Sequence, residues 1–156
     1  MSERSETGGE VLTVVVERLA GAQDLPLPRY MSPGASGMDL AACVTEPVRL
    51  APGQRQLIPT GIRLAIPPGY EGQVRPRSGL AVRQGLTVLN TPGTIDSDYR
   101  GEVKVIVANL GQEEVVIRRG DRVAQLAFVR VERAQLQQGR VDETERGGGG
   151  FGHTGV

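Results

Sequence analysis

The stretch V-R-L-A-P-G-Q-R-Q-L-I-P-T-G-I-R-L-A-I-P-P-G, residues 48–69, decides the fold class. It contains the strand candidates Val48 to Leu50, Gln54 to Pro59 and Ile62 to Ile66, each followed by Pro or Gly within a residue or two. Short apolar runs between Pro-Gly turns read as strands. Working outward, Val11 to Arg18 alternates Leu12-Val14-Val16 as a first strand, and Gly37 to Cys43 follows. Beyond lie Gly72 to Arg75, Thr87 to Leu89, Val103 to Asn109, Glu113 to Ile117 and Ala124 to Val131. Strands at such intervals predict an all-β barrel or sandwich. Only Ser78 to Gln84 predicts a helix, with Ser78 as N-cap and Gly85 just past its end.

The composition agrees. At 156 residues the chain is one domain by length, and with 22 Gly, 10 Pro, 3% aromatics and no Trp its core must be aliphatic. Lys plus Arg and Asp plus Glu are 18 each, so no net field draws nucleic acid or a membrane, and an anion must be held by local groups. The single Cys43 and single His153 exclude a disulfide framework and a zinc site of nitrogen and sulfur ligands, while oxygen-ligated magnesium remains open. Residues 1–10 are polar and read as disordered. No apolar run approaches the roughly 18 residues needed to span a bilayer, which points to a soluble, cytoplasmic protein.

Four segments carry candidate chemistry. N-T-P-G-T-I-D-S-D-Y-R-G, residues 90–101, reads as a turn-rich site between strands rather than a core strand. Pro92 removes a donor there and Gly93 permits positive φ; a solvated hairpin tip is the plainer reading. Arg77-Ser78-Gly79 at the helix start suits an anion, or is simply a capped helix. Asp39 lies in an otherwise apolar strand, where a carboxylate needs a partner or a metal unless it sits at an edge. R-G-G-G-G-F-G-H-T-G-V, residues 146–156, is ordinarily a frayed tail. Phe151 among glycines, flanked by Arg146, His153 and Thr154, fits better a segment that folds over bound substrate.

Taken together, A-S-G-M-D-L-A-A (35–42), P-R-S-G-L-A (76–81), L-N-T-P-G-T-I-D-S-D-Y-R-G-E (89–102), G-D-R-V-A-Q-L (120–126) and R-G-G-G-G-F-G-H-T-G (146–155) resemble the five ordered motifs of the trimeric dUTPases. The resemblance runs from about residue 11 to the end. It implies a jelly-roll-like β-barrel of the β-clip kind over residues 11–136, with one short helix and a flexible Gly-rich C-terminal arm over 137–156. It also implies a homotrimer whose arm completes a neighbouring subunit's site. The implied reaction is Mg²⁺-dependent hydrolysis of dUTP to dUMP and pyrophosphate, keeping uracil out of DNA and supplying dUMP for thymidylate synthesis.

By position, the resemblance makes Asp96 the base that deprotonates the water attacking the α-phosphorus, and Asp39 the residue that holds Mg²⁺ through water. Arg77, Ser78, Gly79 and Gln125 would hold phosphates, and Arg146 and Thr154 would close on the terminal one. Asn90 and the backbone of Thr94, Ile95 and Asp96 would read the uracil edge, with Lys104 nearby. Tyr99 would pack on the sugar face and exclude a 2′-hydroxyl; Phe151 would stack on the base, with Gly152 beside it. His153 stands where the family most often has Ser. Either it donates to the γ-phosphate or a bridging water, or it faces solvent and only its N–H is used.

Asp98, Glu102, Asp121, Arg75, Arg100 and Arg122 are read as charge partners or turn formers, and Cys43 as a buried small apolar residue. Two rival readings are a dCTP deaminase of the same superfamily and a non-catalytic nucleotide-binding protein of this fold. The deaminase needs a glutamate where this chain has Ile106, and the binding protein would have lost Asp96, Arg77, Gln125 or Arg146, all present.

Overall fold

The computed structural model describes residues 11–155; the disorder expected for residues 1–10 lies outside the described residues. In chain order the elements are β1 (Val15–Arg18), β2 (Met38–Ala41), β3 (Val48–Leu50), β4 (Arg55–Pro59), β5 (Ile62–Ala65), β6 (Tyr70–Arg75), α1 (Ser78–Gln84), β7 (Leu86–Val88), β8 (Gly93–Ile95), β9 (Lys104–Asn109), β10 (Val115–Ile117) and β11 (Arg122–Arg130). The three strands of residues 48–69 go to three different sheets: β3 pairs with β10, β4 with β9, and β5 with β1. A four-stranded sheet in the order β2-β11-β6-β8 and a three-stranded one in the order β4-β9-β7 complete a jelly-roll-like arrangement. All pairings are antiparallel, and the strands are shared among four short sheets rather than one closed barrel.

Period-two alternation decides which side chains go inward. In the four-stranded sheet Leu40, Val74, Ile95 and Leu126 are buried, while Asp39, Gln73, Arg75, Thr94 and Gln125 alternate with them on the other face. Ile58, Val105 and Val107 of the three-stranded sheet are fully buried as well. The buried hydrophobic residues are Leu, Ile, Val and Ala, with Tyr70 and Phe128 packed partly against them, so the core is aliphatic as the composition required. Each fully buried Leu, Ile or Val contributes about 1.5–3 kcal/mol. Among the described residues Asn109 and Thr60 are the buried polar exceptions; Asn109, at 0% exposure, donates its amide nitrogen to Leu50 O and Glu113 O, both at 2.8 Å, and its carbonyl oxygen accepts from Gly111 N at 2.9 Å.

Five local expectations are corrected. The N-cap of α1 is Arg77, in extended conformation and without a side-chain cap hydrogen bond, so Ser78 is the first helical residue and not the cap. Gly85 does end the helix in left-handed conformation (φ 69°), where a Cβ would run into the backbone of Gly111. Residues 93–95, expected to be turn, form β8 with Gly93 and Ile95 buried, because the β6 edge offers pairing partners that a local reading cannot see. Gly93 is not among the positive-φ glycines; a Cβ there would press on Val74 Cβ and Asn90 Nδ2 at 3.3 Å, so close approach is its use. Strand β1 begins at Val15, leaving Val11 exposed. Cys43 is half-buried rather than buried.

Candidate functional site

The anion-binding candidates meet at one end of the four-stranded sheet. Gln125 of β11 pairs with Asp39 of β2 on one side and Arg75 of β6 on the other, so the three form one row. Gly37 lets the chain entering β2 pass closely: a Cβ there would lie 3.2 Å from Gln125 Cβ and Oε1. Asp39, with its side chain 13% exposed, has Oδ1 at 3.3 Å from Arg77 Nε and Oδ2 at 3.1 Å from Arg122 Nη1. Arg77 Nη1 donates to Arg122 O at 3.0 Å. The Arg77 Nε is buried and close to Asp39 but not aligned for a hydrogen bond, so it is a donor left over. Two guanidinium groups against one carboxylate give a local positive excess in a chain of zero net charge. Ser78 and Gly79 follow immediately at the first turn of α1, and the adjoining cleft of about 360 Å³ is lined by Arg77, Leu80, Gln84, Asp121 and Arg122.

Arg122, expected as a charge partner or turn former, is the charge partner of Asp39 and so belongs to this cluster. Counting by twos puts it on the opposite face from Gln125, three positions away. A β-bulge between Arg122 and Ala124 takes up one residue, so Arg122 pairs with Ala41 and Gln125 with Asp39, two apart on one face. The bulge carries no obvious sequence mark; the one available signal was that Asp39 needed a cation.

Both Asp39 oxygens face guanidinium groups, and among the described residues no three His, Cys, Asp or Glu side chains are grouped to hold a metal. The donor set does not fit an all-protein cage; a cation at Asp39 would need its remaining ligand oxygens from water and a bound anion.

The second group lies on the segment from β7 to β9. Asn90 places its amide against Gly93, and Thr94 pairs with Gln73, exposed. Ile95 is 7% exposed and its side chain belongs to the core, leaving only its main chain available to a ligand. Asp96 follows, exposed, and Tyr99 N donates to Asp96 O at 3.1 Å to close a turn. Tyr99 donates its hydroxyl to Glu102 O at 2.8 Å. Arg100 Nη1 donates to Ser97 O and Tyr99 O, a turn-forming use of the kind expected. Lys104 is exposed, with Nζ 3.8 Å from Glu102 Oε2. Ile106 lies opposite Leu57 between strands, an aliphatic position that offers no proton carrier.

The two groups do not meet within the chain. Ile95 pairs with Gly72, so Asp96 emerges beside Glu71, and both line a cleft of about 440 Å³ with Tyr70, Ser97, Asp98 and Arg133. The Asp39–Gln125–Arg75 row is four residues away along β6, about 13 Å, and Asp39 is three strands across from β8, about 14 Å, so Asp39 and Asp96 are roughly 20 Å apart.

Among the described residues the arm makes no hydrogen bond to either group. Val131 N donates to Gly69 O at 2.9 Å. Among the described residues beyond it, hydrogen bonds are local: Arg146 Nε to Gly149 O at 2.9 Å, Gly147 N to Thr144 O, His153 N to Gly150 O, Gly155 N to Gly152 O. Phe151, at φ 52°, is fully exposed, and Gly152, His153 and Thr154 are exposed. The His153 ring folds over Gly149, where a Cβ would lie 2.6 Å from its Cε1.

The chain is similar to known proteins over most of its length. A family model described as dUTPase matches residues 23–155. The chain is 56% identical over 142 residues to the deoxyuridine 5'-triphosphate nucleotidohydrolase of a Thermoanaerobacter species, covering 90% of this chain and 96% of that one. It is 63% identical over 121 residues to the protein of the same name from Aquifex aeolicus, covering 78% and 81%. Among solved structures, the Staphylococcus bacteriophage 80alpha dUTPase with dUPNHPP superposes with a TM-score of 0.79 at 26% identity, covering 92% of this chain and 99% of that chain.

Proposed function

The chain belongs to the dUTPase family, and from that premise we propose how it hydrolyses dUTP to dUMP and pyrophosphate. The single observation that carries the reading is the separation of Asp96 from the arginine cluster: a base and a phosphate cradle too far apart to serve one substrate from one chain. Each site is then shared. One chain supplies Asp39, Arg77, Ser78, Gly79 and Gln125, a second supplies Asn90 through Tyr99, and the arm of a third closes over both, as in a cyclic homotrimer.

In this arrangement Arg77, Gln125 and the N–H groups at the start of α1 hold the phosphates, and the uncommitted Arg77 Nε gains the partner it lacks. Thr94, Ile95 and Asp96 present main-chain groups to the uracil edge while Asn90 adds its amide, so a cytosine leaves polar groups unpaired and is refused. Tyr99 offers a ring face to the deoxyribose. Asp96, free of side-chain hydrogen bonds among the described residues, takes the proton from a water whose oxygen forms the new bond to the α-phosphorus. The bond to the bridging oxygen breaks, and pyrophosphate leaves with that oxygen. Asp39 would hold Mg²⁺, and the ion would supply neutralisation of triphosphate charge. Arg146 and Thr154 close on the terminal phosphate, with Phe151 on the base. The chain holds no helix long and apolar enough to cross a membrane among its described residues, and we assign the work to the cytoplasm.

The test is pyrophosphate release with Mg²⁺ from dUTP, dCTP, dTTP and UTP in parallel, for the full chain and for a chain ending before Arg146. Release from dUTP alone, lost on truncation, is the expected result. Folded protein that leaves dUTP intact, or a truncated chain as active as the full one, contradicts the reading.

A further inference from the structure

We propose that Glu102 is the positioning residue for Tyr99 and so sets the discrimination between deoxyribose and ribose, an inference that rests on the reading of Tyr99 above. The Glu102 carboxylate accepts from Gly61 N at 3.1 Å, tying the end of the Asp96–Tyr99 segment to the turn between β4 and β5. That turn is held from several sides. Thr60, 5% exposed, donates its hydroxyl to Val103 O at 2.5 Å and its N–H to the same oxygen at 3.2 Å, and Val103 N donates to Ile62 O at 2.8 Å. Gly61 itself, at φ +71°, is seated where a Cβ would lie 2.5 Å from Ala22 Cβ and 2.8 Å from Cys43 Sγ.

The fixed point is passed on to the tyrosine. The carbonyl of Glu102 accepts the Tyr99 hydroxyl at 2.8 Å. The ring lies on Gly101, where a Cβ would meet the hydroxyl and fall 2.6 Å from Cζ and 3.0 Å from Cε2. The side chain is thus seated on glycine, anchored at its tip, and still 45% exposed as a plate for a sugar. The competing use of Glu102, its ion pair with Lys104 at 3.8 Å on the surface, is too long and too solvated to explain the carboxylate. Without the latch to Gly61 the 101–102 peptide is free to shift, and a displacement on the order of 1 Å is enough to spoil a steric gate.

The experiment compares kcat/KM for dUTP and UTP in the full-length protein and in Glu102→Ala, Glu102→Gln, Gly101→Ala and Tyr99→Ala. Glu102→Ala is expected to lower the dUTP-to-UTP ratio about tenfold, with the loss appearing as gained UTP turnover. Glu102→Gln retains the ratio, since its amide oxygen still accepts from Gly61, which a role resting on charge would not allow. Gly101→Ala lowers the ratio by displacing the ring and decides the matter if Glu102→Ala does not fold. An unchanged ratio in Glu102→Ala and Gly101→Ala, with a lowered one in Tyr99→Ala, overturns the positioning role alone. An unchanged ratio in Tyr99→Ala overturns the reading of Tyr99 and this proposal with it.

Discussion

Asp39 lies in the four-stranded sheet and Asp96 just beyond its far strand, roughly 20 Å away, one flanked by two arginines and the other exposed with no side-chain partner among the described residues. A catalytic base must come within hydrogen-bond reach of the water it activates, itself in line with the phosphorus. A triphosphate gripped beside Asp39 is therefore out of reach of the same chain's Asp96. On the proposed reading each chain supplies the two halves to different sites, which assembly would complete.

The arginines flanking Asp39 bear on the metal. Replacing Asp39 with Asn keeps the shape and removes the charge that would draw hydrated Mg²⁺, while leaving Arg77 and Arg122 to grip phosphates unopposed. Asp39→Asn is expected to raise the Mg²⁺ concentration for half-maximal activity by about tenfold or more, as is typical when ligand or supporting groups are lost. A chelator should suppress the parent enzyme's activity reversibly. Magnesium titration of initial rates checks both; an unaltered titration curve would remove Asp39 from metal binding.

Asn109 tests the packing account independently of chemistry. Its side chain satisfies Leu50 O, Glu113 O and Gly111 N inside the core. Asn109→Leu leaves these backbone groups unpaired and should cost about 2–4 kcal/mol. Denaturant unfolding at fixed protein concentration measures it, and a loss below the scatter of surface substitutions would contradict the burial argument.

Asp24 supplies a pH-dependent contribution. The Arg119 guanidinium, bonded to it at 2.6 and 3.0 Å, holds its carboxyl below the ordinary value of 3.8, and Asp24 in turn raises Arg119. A carboxyl depressed in the folded state stabilises above its unfolded pKa and loses that contribution as pH falls through the folded one. Thermal unfolding of Asp24→Asn should therefore lie slightly below the parent at neutral pH, with the gap closing as pH drops below 3.8. A gap constant down to strongly acid pH would show that the ion pair is not its source.

The sequence carried the strands and the helix well because they depend on local alternation and punctuation: β3 and α1 appear with the bounds expected. It failed where a partner strand decided. Residues 93–95 carry turn residues and became β8 only because β6 was exposed beside them. Of the candidate residues named from sequence, Asp39, Arg77 and Gln125 are brought together by the fold. Arg122 was hidden by a bulge that shifts the face of one residue, and Glu102 by a hydrogen bond to a turn 41 positions earlier. The distance between Asp39 and Asp96 depends on strand order, which no local pattern encodes.

That distance also sets the most direct test. Asp96→Asn and Arg77→Ala are each expected to be folded and to lose on the order of 10²–10⁴ in turnover. Unfolded together in equal amounts and refolded as a mixture, they should recover roughly a quarter of parental activity, because a site drawing base and cradle from different chains at random is intact that often. Activity of the co-refolded mixture no greater than that of either variant alone would place both groups in one chain and contradict the shared site.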